Sequence, residues 1–186
     1  MGDDEGVETL RGHLLIAGPN LWDPNFRRTV LLVGHHDDEG AVGVVLNRAS
    51  DVTVAEAAPP LVSLVPADDP LYLGGPVQPQ AAVVMADFED PSVADILALD
   101  TIGFLPSEAG PELEDGIRRA RVFAGYAGWG PGQLEAEMEE ESWIAEPARP
   151  DDVFADDPSR LWEDVLRRKG SAFDLLRLMP VDPSAN

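Results

Sequence analysis

The chain has 186 residues and 44% hydrophobic composition, enough for one domain with a sizeable core and too short for two ordinary ones. Its formal charge is −22, from 35 acidic against 13 basic residues, a field that repels phosphate backbones and disfavours direct nucleic-acid binding. It contains no cysteine, which excludes disulfides, thiol catalysis and cysteine zinc sites, and no apolar run long enough to span a membrane.

Residues 1–10 are polar and acidic, without the basic-then-apolar pattern of a secretory signal; they are expected to form a disordered tail on a cytoplasmic protein. A single domain is expected over 11–180, with a second tail over 181–186. The run from Gly12 to Gly18 suits a buried strand. A loop follows, with Asp23-Pro24 as its turn opener. Thr29–His36 and Ala41–Arg48 are β-branched apolar runs joined by Asp37-Asp38-Glu39-Gly40, which reads as a hairpin with a four-residue link. Thr53 and Glu56 make a capping box for a helix of little more than a turn, stopped by Pro59-Pro60. Leu71–Gln78 reads as a strand breaking at Gly74-Gly75-Pro76, and Ala81–Phe88 as another strand. Residues 95–105 fit either helix or strand, and 107–118 hold helix formers interrupted by Gly110, Pro111 and Gly116. No Lys or Arg occurs from Ala49 to Ile117.

Arg121–Ala127 reads as a strand running into a glycine-rich loop, GYAGWGPG. Gln133–Glu141 then reads as a helix, with Leu134 and Met138 toward the core and the glutamates toward water. Ser142–Pro147 is a short strand. Asp157 and Pro158 open the last helix, whose stripe is Leu161, Trp162, Val165 and Leu166 and whose end is Gly170. Strands outnumber helices and do not alternate with them regularly, which indicates an α+β domain rather than a doubly wound sheet.

Three of these blocks, GHLLIAGPNLWDPNFRRTVLLVGHHDDEGAVGVVLNR, YLGGPVQ and FAGYAGWGPGQLEAEMEEESWI, occur in an order that resembles the AlgH/YqgE family of bacterial proteins, over roughly residues 10–170. The resemblance implies a mostly antiparallel, bent and bifurcated sheet that closes into a pseudo-barrel with a few peripheral helices. It implies no established activity; the family carries a label of transcriptional regulator, tied to exopolysaccharide production. Where some members have a cysteine before the hairpin histidine this chain has Gly34, and where many have a histidine after the GGPV block it has Met85. Thiol or paired-histidine chemistry therefore does not carry over.

Three groups of residues could carry chemistry. In His35-His36-Asp37-Asp38-Glu39, adjacent strand residues point to opposite faces, so the two histidines cannot share a metal and no metal site is expected. His36 alone serves as a polar anchor or a general base. The hairpin should bring Arg28 and Thr29 beside Asn47 and Arg48, with Asp23 in the loop before them. That corner either clamps a carboxylate or phosphate through its arginines or is an Asp–Arg pair stabilising a loop. The glycine loop with Gly128 and Trp129 either packs against the sheet or walls a pocket; it lacks the pattern of a phosphate-binding or dinucleotide loop. No cofactor is expected.

These readings favour a non-enzymatic binding or regulatory module that meets a protein partner or a small anionic ligand at the Arg28/Arg48 corner. The alternative is a hydrolase or transferase on a small anionic substrate, with His36 or Asp23 as base and Arg48 as clamp. Direct DNA binding ranks last.

Overall fold

A computed structural model of the chain describes residues 8–178. The expected hairpin forms: β2 (Val30–Asp37) pairs antiparallel with β3 (Gly40–Val45). Its pairing continues to Asp37 and Gly40, so the link is only Asp38-Glu39 rather than four residues. β1 (His13–Ala17) lies on the other side of β2 and pairs outward with β10 (Trp143–Pro147).

The organising element is β9 (Ile117–Trp129). Its last residues, 127–129, pair with β3, while the body of the strand pairs with β6 (Val77–Phe88) and, in parallel, with β5 (Pro70–Leu73). The sheet therefore forks along one strand. β4 (Ala49–Thr53) pairs with β5 beyond the fork. The ambiguous stretch 95–105 is a hairpin of β7 (Ile96–Leu99) and β8 (Ile102–Phe104) beside β6. Its short apolar runs are too brief for a helix and are split by a turn at Asp100 and Thr101.

The main order is β10-β1-β2-β3-β9-β6-β8-β7, and the two end strands, β10 and β7, do not pair with each other. The bent, bifurcated sheet stands, but the expected closure into a pseudo-barrel does not: the sheet is open. Gly34 shows how near the two sides come. A side chain there would place its first carbon 2.3 Å from the Phe104 ring, so any residue larger than glycine requires the β8 phenyl to shift away from β2. The same residue carries a bulge between Val33 and His35. The bulge puts Val33 and His36 inside and His35 outside.

The segment expected as a glycine loop is strand as far as Trp129. A sequence rich in glycine reads as a turn, but paired strands on both sides hold it extended. Gly125 takes φ 69, which shifts the alternation so that Phe123 and Tyr126 both face one core. Three apolar clusters result. The largest lies under α3 (Pro150–Val153), which buries Val153, and α4 (Leu161–Lys169), which buries Leu161, Trp162, Val165 and Leu166 as its stripe requires. A second holds Trp129 and Trp143 under α2 (Gln133–Glu139), and a third lies under α1 (Val54–Ala57), capped by Thr53 and Glu56.

The glutamates of α2 do not all face water. Glu137 Oε2 accepts from the indole N–H of Trp129 at 2.9 Å and of Trp143 at 2.8 Å, and Glu135 accepts from His36 at 2.7 Å. Buried ring N–H groups need acceptors, and these carboxylates supply them. Of the expected N-terminal tail, residues 1–7 lie outside the described residues. Thr9 and Leu10 run beside β2: Thr9 donates to the His36 carbonyl and the Leu10 amide to His36 Nδ1. Residues 179–186, with the expected C-terminal tail, also lie outside the described residues.

Candidate functional site

The corner expected at the base of the hairpin exists. Asn47 Oδ1 accepts from Val30 N–H and its Nδ2 donates to the Arg28 carbonyl, both at 2.9 Å, so Asn47 brackets Thr29. Thr29 is fully buried and donates its hydroxyl to the Phe26 carbonyl. Asp23 accepts from Asn25 N–H at 2.9 Å. The Arg48 guanidinium donates to the carbonyls of Pro24, Asn25 and Arg27, at 2.8, 2.6 and 3.1 Å. Arg28, at φ 53, lays its guanidinium 4.7 Å over the Trp162 ring. The loop carbonyls that no strand can satisfy are met by these side chains, which makes the corner a loop anchor. In the corner itself the engaged Arg48 N–H groups end on backbone carbonyls rather than on open solvent.

His36 is in a different place. It sits near the tip of the hairpin, with its side chain 2% exposed. Its Nδ1 accepts the Leu10 amide proton at 3.0 Å, so the ring proton is on Nε2, which donates to Glu135. None of the described cavities is lined by both His36 and Asp23. No described cavity joins His36 or Asp23 to Arg48, and the bonds His36 makes to Leu10 and Glu135 are those of a polar anchor. Trp129 is buried against Trp143, with ring centroids 6.3 Å apart in an edge arrangement, and neither it nor Gly128 lines a described cavity. Trp129 packs in the cluster with Trp143 and Leu134.

The far side of Arg48 opens on a cleft of about 680 Å³ between β4–β5 and the segment 156–159. Asn47, Arg48, Asp69, Tyr72, Arg121 and Asp156 line it. Arg121 projects from β9 with its guanidinium 4.6 Å over the Tyr72 ring, and donates to the carbonyls of Val153 and Ala155, each at 3.2 Å. Burial is the leading cause of four shifts. It pushes the Arg48 and Arg121 guanidinium groups down and the Asp69 carboxyl and Tyr72 hydroxyl up. The Arg121 charge opposes the rise at Asp69 and Tyr72 without cancelling it. All four groups line this one cleft. Elsewhere among the described residues the leading cause of a shift is a hydrogen bond. Desolvated charges beside an open space are where a ligand's polar groups gain most.

The sequence gathers Asn47 and Arg48 at the hairpin corner with Asp23, Arg28 and Thr29, and names none of Asp69, Tyr72, Arg121 and Asp156 as partners. The one signal was Arg121 at the head of an apolar strand. Its partner ring, Tyr72, comes from a strand 49 positions earlier in the chain, through the parallel β5–β9 pairing.

Among the described residues no helix is long and apolar enough to cross a membrane. A family model described as AlgH-like matches residues 14–174. The chain is 41% identical to a UPF0301 protein of Streptomyces avermitilis, over 97% of each chain. It is 40% identical to one from Mycobacteroides abscessus, over 94% of this chain and 87% of that one. A crystal structure of a Corynebacterium diphtheriae protein matches with a TM-score of 0.81 and 33% identity, over 92% of this chain and 93% of that one. The solution structure of the AlgH protein from Pseudomonas aeruginosa matches with a TM-score of 0.69 and 30% identity, over 97% of this chain and 98% of that one. The chain belongs to the AlgH-like family.

Proposed function

We propose that this member of the AlgH-like family is a non-enzymatic binding module whose small anionic ligand occupies the cleft between β5 and the 156–159 segment. The observation that carries this reading is the convergence, in one cleft, of two arginines, a carboxyl and a phenol whose protonation burial disturbs, Arg48, Arg121, Asp69 and Tyr72. The arginine charges are partly stripped of water, so an anion that reaches their remaining N–H groups meets a stronger field than at the surface. Asp69, Asp156 and Asp157 line the same space, which selects an anion that also brings hydrogen-bond donors. Bare phosphate is the weaker fit and a hydroxy- or amino-carboxylate the better one. A transcriptional effect would run through a protein partner of the ligand-bound state, because the net charge of −22 opposes contact with a phosphate backbone.

Calorimetric titration with glutamate, citrate and inorganic phosphate tests the reading. The expected result is binding of a carboxylate that Arg121→Gln weakens at least about tenfold. Tyr72→Phe, whose hydroxyl has no hydrogen-bond partner among the described residues, should weaken binding while leaving the fold intact. No heat with any of the three anions, or binding indifferent to both variants, overturns it.

A further inference from the structure

A second cleft lies on the other side of the fork, with a volume of about 500 Å³. Where β9 leaves β6 for β3, the gap between those strands is lined by Val83, Val84, Ile96, Phe104, Leu105 and Tyr126. Most of the lining side chains are apolar, Ser107 and the exposed Asp95 being the polar ones, and Phe104 and Tyr126 both border the space. The one ionised side chain among the lining residues is Asp95. The Asp95 carboxylate has no hydrogen-bond or ion-pair partner among the described residues; its backbone amide alone is engaged, donating to the Phe104 carbonyl. The Tyr126 hydroxyl is likewise without a partner among the described residues.

The sequence around the cleft is as one-sided as its walls. From residue 49 to residue 117 there is no Lys, Arg or His, and every lining residue except Val42 and Tyr126 comes from that stretch. An apolar recess edged by one unpaired carboxylate, in a chain of charge −22, attracts cations and rejects anions. Aromatic faces add to the attraction for a positive charge.

We infer that this cleft is a binding site for a small hydrophobic amine: the apolar or aromatic body fills the space between Val83, Ile96 and Leu105, and the ammonium group pairs with Asp95 within reach of the Tyr126 ring. The site is independent of the charged cleft, shares no lining residue with it, and takes a ligand of opposite charge.

The test is a chemical-shift titration of the full chain with 2-phenylethylamine, beside 2-phenylethanol as neutral isostere and 3-phenylpropionate as anion. The amine is expected to move the Val83, Val84 and Leu105 methyl resonances and to bind about tenfold more tightly than the alcohol, with the carboxylate weakest of the three. Asp95→Asn should bring the amine to the alcohol's affinity while leaving the alcohol unchanged, and added salt should weaken only the amine. Ala82→Phe, on an exposed wall of the cleft, should block all three. Equal affinity for amine and alcohol, an amine indifferent to Asp95→Asn, or shifts that map away from these methyl groups overturns the inference. Arg121→Gln should leave amine binding unchanged, so failure here and failure at the charged cleft are read separately.

Discussion

The hairpin corner and the cleft beside it share Asn47 and Arg48, yet their polar groups are used in opposite ways. In the corner, the described side-chain bonds end on the chain's own backbone: Asn47 on Val30 and Arg28, Arg48 on three loop carbonyls, Asp23 on Asn25. In the cleft, Asp69 and Tyr72 are desolvated without such bonds, and Arg121 spends only part of its guanidinium on carbonyls. Both regions gather acids, arginines and an amide. What separates the anchor from the proposed site is therefore how many of those groups are already satisfied, not which residue types are present.

Substitutions on the two sides should separate stability from binding. Asn47→Ala has the largest expected effect, because it leaves the Val30 amide and the Arg28 carbonyl without their partner. A loss of about 2 kcal/mol, or roughly 4–8 °C in Tm, should appear in thermal unfolding. Asn47→Asp should not rescue it, since a carboxylate cannot donate to the Arg28 carbonyl. An unchanged Tm would mean that the corner is no anchor.

Arg48→Lys comes next. The charge survives but the fork that reaches three carbonyls does not, and a loss of about 1 kcal/mol, or roughly 2–4 °C, is expected. A fully stable Arg48→Lys variant would move Arg48 from the anchor to the cleft.

Asp69→Asn should act in the other direction. The folded-state pKa of Asp69 is raised, chiefly by burial, so the native state holds that proton more tightly than the unfolded chain. Its contribution to stability is greatest below the ordinary aspartate pKa and falls as pH rises through the raised value. The variant should therefore gain about 1–2 °C in Tm at neutral pH, and the gain should vanish in acid below both values. A gain that persists in acid would disconnect it from the carboxyl's titration.

The smallest expected change in stability is that of Tyr72→Phe, within about 0.5 kcal/mol by denaturant unfolding. It sharpens the comparison because anion binding should still weaken. A large loss of stability would show that the Tyr72 hydroxyl belongs to the anchor after all.

Much of the local architecture was legible in the residues. The hairpin, the Thr53–Glu56 box, the stripe of α4 and the proximity of Thr29 to Asn47 all rest on alternation, helical spacing and caps, which act within a few residues. The misreadings came from longer range. Gly125–Trp129 looked like a loop until β3 and β6 on its two sides held it as strand. The glutamates of α2 looked like a solvated face until the indoles of Trp129 and Trp143 required an acceptor. The sheet's closure, implied by resemblance, failed because its end strands do not pair.

By itself, then, the sequence determined the strand-rich α+β class and the place of its main strands and helices, because hydrophobic period and capping chemistry are written between near neighbours, while the family was legible only as a resemblance carried by three motif blocks. Only the tertiary structure decided which polar groups were spent. His36 meets a glutamate 99 positions away and Arg48 reaches carbonyls 21 to 24 positions away. Whether a buried donor or acceptor is satisfied depends on what the folded chain carries to it, and that is a property of the assembled sheet rather than of any local stretch.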